Sequence, residues 1–222
     1  MIAEAHLPLP DTVNRRVRFA TADTARLTHQ SILRCATVTL PQPLRRAIPA
    51  RQLEFRVGRL CAQKVIHSLT GENLCPGRGA HGEPLWPSGV VGSISHSGSR
   101  VLVAAARESD VPALGLDIEA LFDAPELADH ILTPQERVRF HHRIDSQLLT
   151  TVFSAKESLY KALFPLTSTA FYFHDAEVID CTDNGRIRLR LLTSLSEHWP
   201  AGALVQARWC RLENYIVTAA LP

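Results

Sequence analysis

Three carboxylates sit at spacings that suit chemistry on a phosphate. Gly115-Leu116-Asp117-Ile118-Glu119 carries two acids two residues apart within an apolar run, and on a strand that spacing turns both side chains to one face. The third, Glu157, lies in Phe153-Ser154-Ala155-Lys156-Glu157-Ser158-Leu159-Tyr160-Lys161. There a helical apolar stripe of Leu149, Val152, Phe153, Tyr160 and Leu163 is interrupted by Lys156 and Glu157. Removing an ion from water is costly unless the ion is paired or holds a metal, so charge at a core position needs a reason. Asp117, Glu119 and Glu157 are hard oxygen ligands that suit Mg²⁺, and one reading has all three meeting around a single cation. In the other, the strand acids are solvated edge residues and Glu157 pairs with Lys161 one turn later. The carboxylates alone leave the two readings balanced.

Two further groups favour a phosphate ligand. Gly92-Ser93-Ile94-Ser95-His96-Ser97-Gly98 ends a strand in hydroxyls and an imidazole, a compact set of donors. The pattern over 51–69 is helical, with Leu53, Val57, Leu60, Cys61, Val65 and Leu69 inward and Gln52, Arg56, Arg59, Gln63 and His67 on the other face. Arg56 and Arg59, one turn apart, could grip a phosphate monoester. Either group alone reads more readily as an ordinary solvated surface.

The elements that must position these residues make an α+β chain with largely antiparallel sheets. Weak strands are expected near 17–19 and 35–40. The 51–69 helix should stop at Gly71, and Gly58 within it implies a close neighbour. A Gly- and Pro-rich loop over 76–89 follows, in which a ligand rather than a core would explain Trp86. Strands are expected over 90–95, 101–107 (apolar on both faces, hence central) and 114–119. Thr133-Pro134-Gln135-Glu136 has the residues of a capping box. A helix over 146–163 should end before Pro165, a hairpin should span 171–180 and 185–192, and strands over 203–209 and 213–220 should close the chain.

At 222 residues the chain can form one core or two half-sized ones, and a net charge of +2 carries no global nucleic-acid or membrane signature. The five cysteines are scattered without a C-x-x-C pair, which argues against disulfide and zinc frameworks. No apolar run is long enough to span a membrane, and residues 1–10 lack the features of a signal peptide, so a cytoplasmic protein is expected.

Taken in order, Gly58-Arg59-Leu60-Cys61-Ala62, Pro84-Leu85-Trp86-Pro87, Gly92-Ser93-Ile94-Ser95-His96, Gly115-x-Asp117-x-Glu119 and Phe153-Ser154-x-Lys156-Glu157-Ser158-x-x-Lys161 resemble the Sfp-type 4′-phosphopantetheinyl transferases, in the branch typified by the enterobactin-synthetase component. The resemblance runs from about 51 to 177 and includes Phe171-Tyr172-Phe173; Phe153 stands where many relatives carry tryptophan.

The resemblance implies transfer of the 4′-phosphopantetheine arm of coenzyme A to a serine of an apo acyl or peptidyl carrier protein, with release of adenosine 3′,5′-bisphosphate. It also implies two similar α/β lobes related by a pseudo-twofold, 1–112 on the 3′-phosphate and adenine side and 113–222 with the metal and catalytic helix, and the coenzyme in a cleft between them. Asp117, Glu119 and Glu157 would hold Mg²⁺. Glu157, directly or through a water, would be the base, assisted by Lys161, with Asp117 in the catalytic set. Ser95, His96, Lys156 and Lys161 would meet coenzyme phosphates, Arg51 and Arg59 the 3′-phosphate, and Arg78 or the Gly82-Glu83-Pro84 turn the adenine side. A monomer without nucleic-acid or membrane partners is expected. Its carrier-docking surface is expected over 122–143, where Arg137, Arg139, His141, His142 and Arg143 mix with Leu127, Ile131, Leu132 and Phe140; an ordinary amphipathic helix fits as well. A metal-dependent phosphodiesterase and a non-catalytic coenzyme A or carrier-binding module are the competing readings.

Overall fold

A computed structural model describes residues 2–222 and divides into two units, Met1–Pro112 and Ala113–Pro222. The first contains β1 (Ala3–Ala5), α1 (Asp11–Arg16), β2 (Val17–Asp23), α2 (His29–Ala36), α3 (Pro49–Thr70), a ribbon of β3 (Gly77–Arg78) and β4 (Pro84–Leu85), then β5 (Val90–Ser97) and β6 (Arg100–Arg107). Its antiparallel sheet has the order β1-β2-β6-β5. The apolar run Val101–Ala106 is buried throughout and occupies an interior strand, as its two-sided pattern implies. Across β2, β6 and β5 lies α3, which ends at Gly71. A Cβ on Gly58 would stand 3.1 Å from Ile94 Cγ2, the close neighbour its position implied.

Two expectations fail in this unit. The stretch 35–40 is not a strand: Thr28 caps α2 by accepting from Ser31 N–H, and the helix carries Cys35 into the core. Local capping outweighs the β-branched residues that follow. Trp86 packs against the core formed by α3 and its sheet, so a ligand is not needed to explain it.

The second unit contains β7 (Gly115–Ala120), α4 (Ala128–Ile131), α5 (Pro134–Phe140), α6 (Ser146–Thr167), β8 (Ala176–Cys181), β9 (Arg186–Leu191), β10 (Leu204–Leu212) and β11 (Tyr215–Ala220). Its antiparallel sheet has the order β7-β11-β10-β9-β8, and α6 packs chiefly on β7 and β11. Each unit is thus an antiparallel sheet crossed by one helix of 22 residues. The capping box at Thr133 and Glu136 forms. Helix α6 runs past the expected stop and includes Pro165, which falls in the final turn, where the one backbone bond its missing N–H forgoes lies next to a helix end. Residues 171–175 form an aromatic loop and a 3₁₀ turn rather than the start of a strand, which begins at Ala176. Among the described residues no helix is long and apolar enough to cross a membrane.

Candidate active site

The geometry of the carboxylate group starts at a missing side chain. Helix α6 crosses β7 so closely at Gly115 that a Cβ there would lie 1.8 Å from the Ser158 carbonyl oxygen. That crossing brings one face of α6 (Ser154, Glu157, Ser158 and Lys161, at i, i+3, i+4 and i+7) over the acids of β7. Asp117 is 4 % exposed. Its Oδ1 accepts from Lys161 Nζ at 2.6 Å and its Oδ2 from Ser154 Oγ at 2.7 Å. Ser154 is itself tied to Thr218 of β11, the residue opposite Asp117 in the sheet. By strand alternation Glu119 lies on the same face as Asp117, and it is half-buried. Glu157 is half-buried beside them. Burial lifts its carboxyl above the usual carboxylate range; Lys161 pulls it down and Asp117 pushes it further up.

A divalent cation fits this chemistry, since the hard carboxylate of Asp117 stands close enough to Glu157 to raise the cost of ionising it. The arrangement differs from the expected single vacancy. Lys161 already supplies the positive charge on Asp117, and among the described residues no group of three or more His, Cys, Asp or Glu side chains is disposed to hold a metal. The alternative of a simple Glu157–Lys161 helix pair is also incomplete, because the ammonium is bonded to Asp117.

Lys156 is held by the protein itself. Its side chain is 2 % exposed, and its ammonium donates to Glu136 Oε2 at 2.7 Å and to the carbonyls of Ile131 and Phe173 at 2.8 Å each. A lysine has three donors, and here all three are used within the protein, where the resemblance implied a coenzyme phosphate contact. The cause is helical geometry: residue 156 lies about 100° around the axis from Glu157 and falls on the face toward α4, α5 and β8. The sequence showed Glu136 only as a capping residue and gave no signal that it was also a counter-ion.

An aromatic wall stands beside Glu157. Phe153 meets Phe122 edge-on at 5.8 Å and Phe173 at 5.2 Å, and Tyr160 lies 5.2 Å from both Phe164 and Phe171. Lys156, Glu157, Tyr160, Phe171, Tyr172 and Phe173 line a cavity of about 310 Å³.

In the first unit, α3 presents Arg51, Phe55 and Arg59 at i, i+4 and i+8 on one face. Arg51 donates to Glu54 at 3.1 Å and contacts His96 Nε2, while Glu54 Oε2 lies 3.5 Å from His96 Nδ1. Glu54 was not foreseen; it lies one turn from Arg51, and only the sheet brings His96 to both. Arg59 is 5 % exposed, donates to the Gly77 carbonyl at 2.9 Å and lies 4.7 Å above the Phe55 ring, so it is not part of a solvated face. It lines a cavity of about 410 Å³ with Gln63, Cys75, Gly77 and Arg78. Arg51 and Arg59 are engaged two turns apart rather than on one point. Ser95 alternates to the opposite face of β5 from His96 and is 4 % exposed, so the two side chains do not form one donor set.

The expected docking segment is also redistributed. Ile131, Leu132 and Phe140 belong to the second unit's core, and Arg137, Arg139 and Arg143 pair with Asp129, Glu177 and Asp183. Leu127 and Val138 are its exposed apolar side chains.

Residues 40–106 match the family described as the 4′-phosphopantetheinyl transferase N-terminal domain, and residues 113–220 match the 4′-phosphopantetheinyl transferase superfamily. The chain is 34 % identical over 189 residues to the 4′-phosphopantetheinyl transferase Svp of Streptomyces mobaraensis, covering 78 % of this chain and 73 % of that protein. It is 32 % identical over 223 residues to enterobactin synthase component D of Salmonella typhimurium, covering 96 % and 88 %. To the 4′-phosphopantetheinyl transferase PptT of Mycobacterium tuberculosis it is 33 % identical over 183 residues, covering 78 % and 80 %.

Proposed function

The chain belongs to the 4′-phosphopantetheinyl transferase superfamily, and from that premise we propose that it transfers the 4′-phosphopantetheine arm of coenzyme A to a serine of an apo acyl or peptidyl carrier protein. The observation that carries the reading is the group Asp117–Lys161–Glu157, gathered where α6 crosses β7 at Gly115. The carrier serine oxygen attacks the β-phosphorus of the coenzyme. The bond from that phosphorus to the bridging oxygen breaks, and adenosine 3′,5′-bisphosphate leaves with the oxygen.

Glu157 accepts the serine proton, a task helped by the raised proton affinity that burial gives it. Lys161, held by Asp117, presents positive charge to the phosphate oxygens, whose charge grows as the bond breaks. Asp117, Glu119 and Glu157 would hold Mg²⁺, which supplies charge neutralisation at the pyrophosphate. Arg59 and Arg78 take the 3′-phosphate and adenine side, and Arg51 with His96 the remaining coenzyme phosphates. The first unit thus serves the nucleotide end and the second the reaction. The protein works as a cytoplasmic monomer, with carrier proteins rather than nucleic acid or membrane as its partners.

Incubation with coenzyme A, Mg²⁺ and an apo carrier protein, followed by intact-mass measurement, tests the proposal. The carrier should gain one phosphopantetheine. Coenzyme hydrolysis without an acceptor would replace the reading with a phosphodiesterase, and binding without turnover would replace it with a binding module.

A further inference from the structure

Lys156 and Glu136 form an ion pair almost wholly shielded from water, and its bonds lie apart from those that tie Asp117 to Ser154 and Lys161. Their side chains are 2 % and 0 % exposed. Besides Lys156, Glu136 accepts from Thr133 N–H at 2.7 Å through Oε2 and from Val178 N–H at 2.5 Å through Oε1. With the lysine's bonds to the Ile131 and Phe173 carbonyls, one pair joins the end of α4, the start of α5, the middle of α6, the 3₁₀ turn at Phe173 and β8. A buried pair of this kind is weak evidence for stability, because apolar residues of similar volume often serve as well. Its distinguishing property is direction, since each of its bonds fixes a backbone group at one place.

One of those places matters to the reaction. The Phe173 carbonyl is held by Lys156, and the rings flanking it are held by other residues of the same helix, Phe173 by Phe153 and Phe171 by Tyr160. This loop walls the cavity that Glu157 lines, and Glu157 follows Lys156 in the chain. We propose that Lys156 and Glu136 are positioning residues for the transfer: anchored on Glu136, the ammonium of Lys156 locks the 171–173 loop against α6 and so fixes the wall of the cavity facing Glu157. Lys156 acts on the backbone of this chain and makes no contact with coenzyme phosphate. The inference rests on the reading that the reaction takes place at Glu157.

The test is the pair of substitutions Lys156→Met and Glu136→Gln in the full-length chain. Methionine fills the volume of the lysine stem, and glutamine keeps an acceptor for Val178 N–H, so the charges leave together. Each single variant strands one buried ion and should lower the unfolding midpoint, and the double variant should recover part of that loss, since it removes both ions but leaves Thr133 N–H and the Ile131 and Phe173 carbonyls without these partners. In the double variant the Phe173 carbonyl has lost its donor, and kcat should fall by about 10- to 100-fold, the scale of an ångström-sized misplacement. The Kd for coenzyme A, measured by calorimetry without carrier protein, should stay within about threefold of wild type.

A Kd weakened tenfold or more would make Lys156 a phosphate contact and overturn the proposal. Wild-type kcat in a stable double variant would also overturn it, by leaving the pair a purely structural role. Should the double variant not fold, Phe173→Leu loosens the same loop from its ring side with the ion pair intact. It must then show the same loss of kcat with Kd preserved, and wild-type kcat in it sinks the idea. Glu157→Gln, assayed in parallel, tests the base assignment separately; its outcome does not depend on the loop.

Discussion

The substitution Gly115→Ala adds one carbon atom at the point where the fold sets the site. Its Cβ would stand 1.8 Å from Ser158 O and 2.6 Å from Ala162 N, whereas ordinary contact begins near 3.4 Å. Both obstacles are backbone atoms of a helix, so no side-chain rotation relieves them, and in a close-packed interior α6 must withdraw from β7 by roughly 1.5 Å. Overpacking of a core costs about 1–3 kcal/mol and occasionally more, and a clash between two regular backbones belongs at the upper end. The same withdrawal stretches the Lys161–Asp117 and Ser154–Asp117 bonds, now 2.6 and 2.7 Å. A shift of about 1 Å at reacting groups can cost about 10²-fold in rate. Urea unfolding should therefore show a loss of about 3 kcal/mol. Carrier modification followed by intact mass, at a temperature where the variant stays folded, should show kcat reduced by about 10²-fold. A variant with the wild-type midpoint and turnover would mean that α6 does not cross β7 at this residue, and the placement of Glu157 and Lys161 over Asp117 would fall with it.

Gly58→Ala is the contrasting case: its Cβ meets only the movable Ile94 Cγ2 at 3.1 Å, and the helix-propensity gain of about 1 kcal/mol should offset the adjustment, leaving the urea midpoint nearly unchanged. Glu157→Gln should abolish transfer yet stabilise the metal-free protein at pH 7. Between 4.5 and its raised folded value, Glu157 has lost its proton in the unfolded chain but not in the folded one, so its contribution falls as pH rises; the advantage of the glutamine variant should shrink as pH is lowered from that folded value toward 4.5 and be gone below it, and a pH-independent difference in chelator-treated samples would contradict the cause assigned to the shift. Arg59→Ala should raise KM for coenzyme A by about tenfold or more and KM for its 3′-dephospho analogue far less, and equal increases would remove Arg59 from the 3′-phosphate.

The sequence was most legible where a local pattern and the tertiary structure agree. The two-sided apolar run 101–106 could only be an interior strand, Gly58 announced a close neighbour, and Thr133-Pro134-Gln135-Glu136 formed the cap its residues imply. It misled where one residue serves two purposes. Glu136 looks satisfied by its capping box, so nothing local points to a lysine twenty positions later, and the pairing is fixed only when α5 meets α6. Trp86 looks idle in a Gly- and Pro-rich loop because the core it covers is assembled from residues on either side of it in sequence. Ser95 and His96 look like one donor group because adjacency in sequence hides the alternation of a strand.

The interruption of the apolar stripe on α6 was the strongest signal in the chain, and it holds two signals rather than one. A helix turns about 100° per residue, so adjacent charges cannot serve one purpose on one face. Lys156 turns toward α5 and β8 and is consumed by Glu136 and two carbonyls, while Glu157 turns toward β7 and stays half-buried beside Asp117 and Lys161. The two consequences differ in kind. A buried ion whose donors are all used cannot respond to a substrate, and it gives rigidity to the loop it holds. A half-buried carboxyl with a raised proton affinity remains able to exchange a proton, which general-base chemistry requires. Exchanging the two charges, by Lys156→Glu together with Glu157→Lys, would set a carboxylate against Glu136 and an ammonium beside Lys161, each next to a like charge. The order lysine then glutamate is therefore set by the two faces of α6, and reversing it would remove both the proposed anchor of the loop and the proposed base.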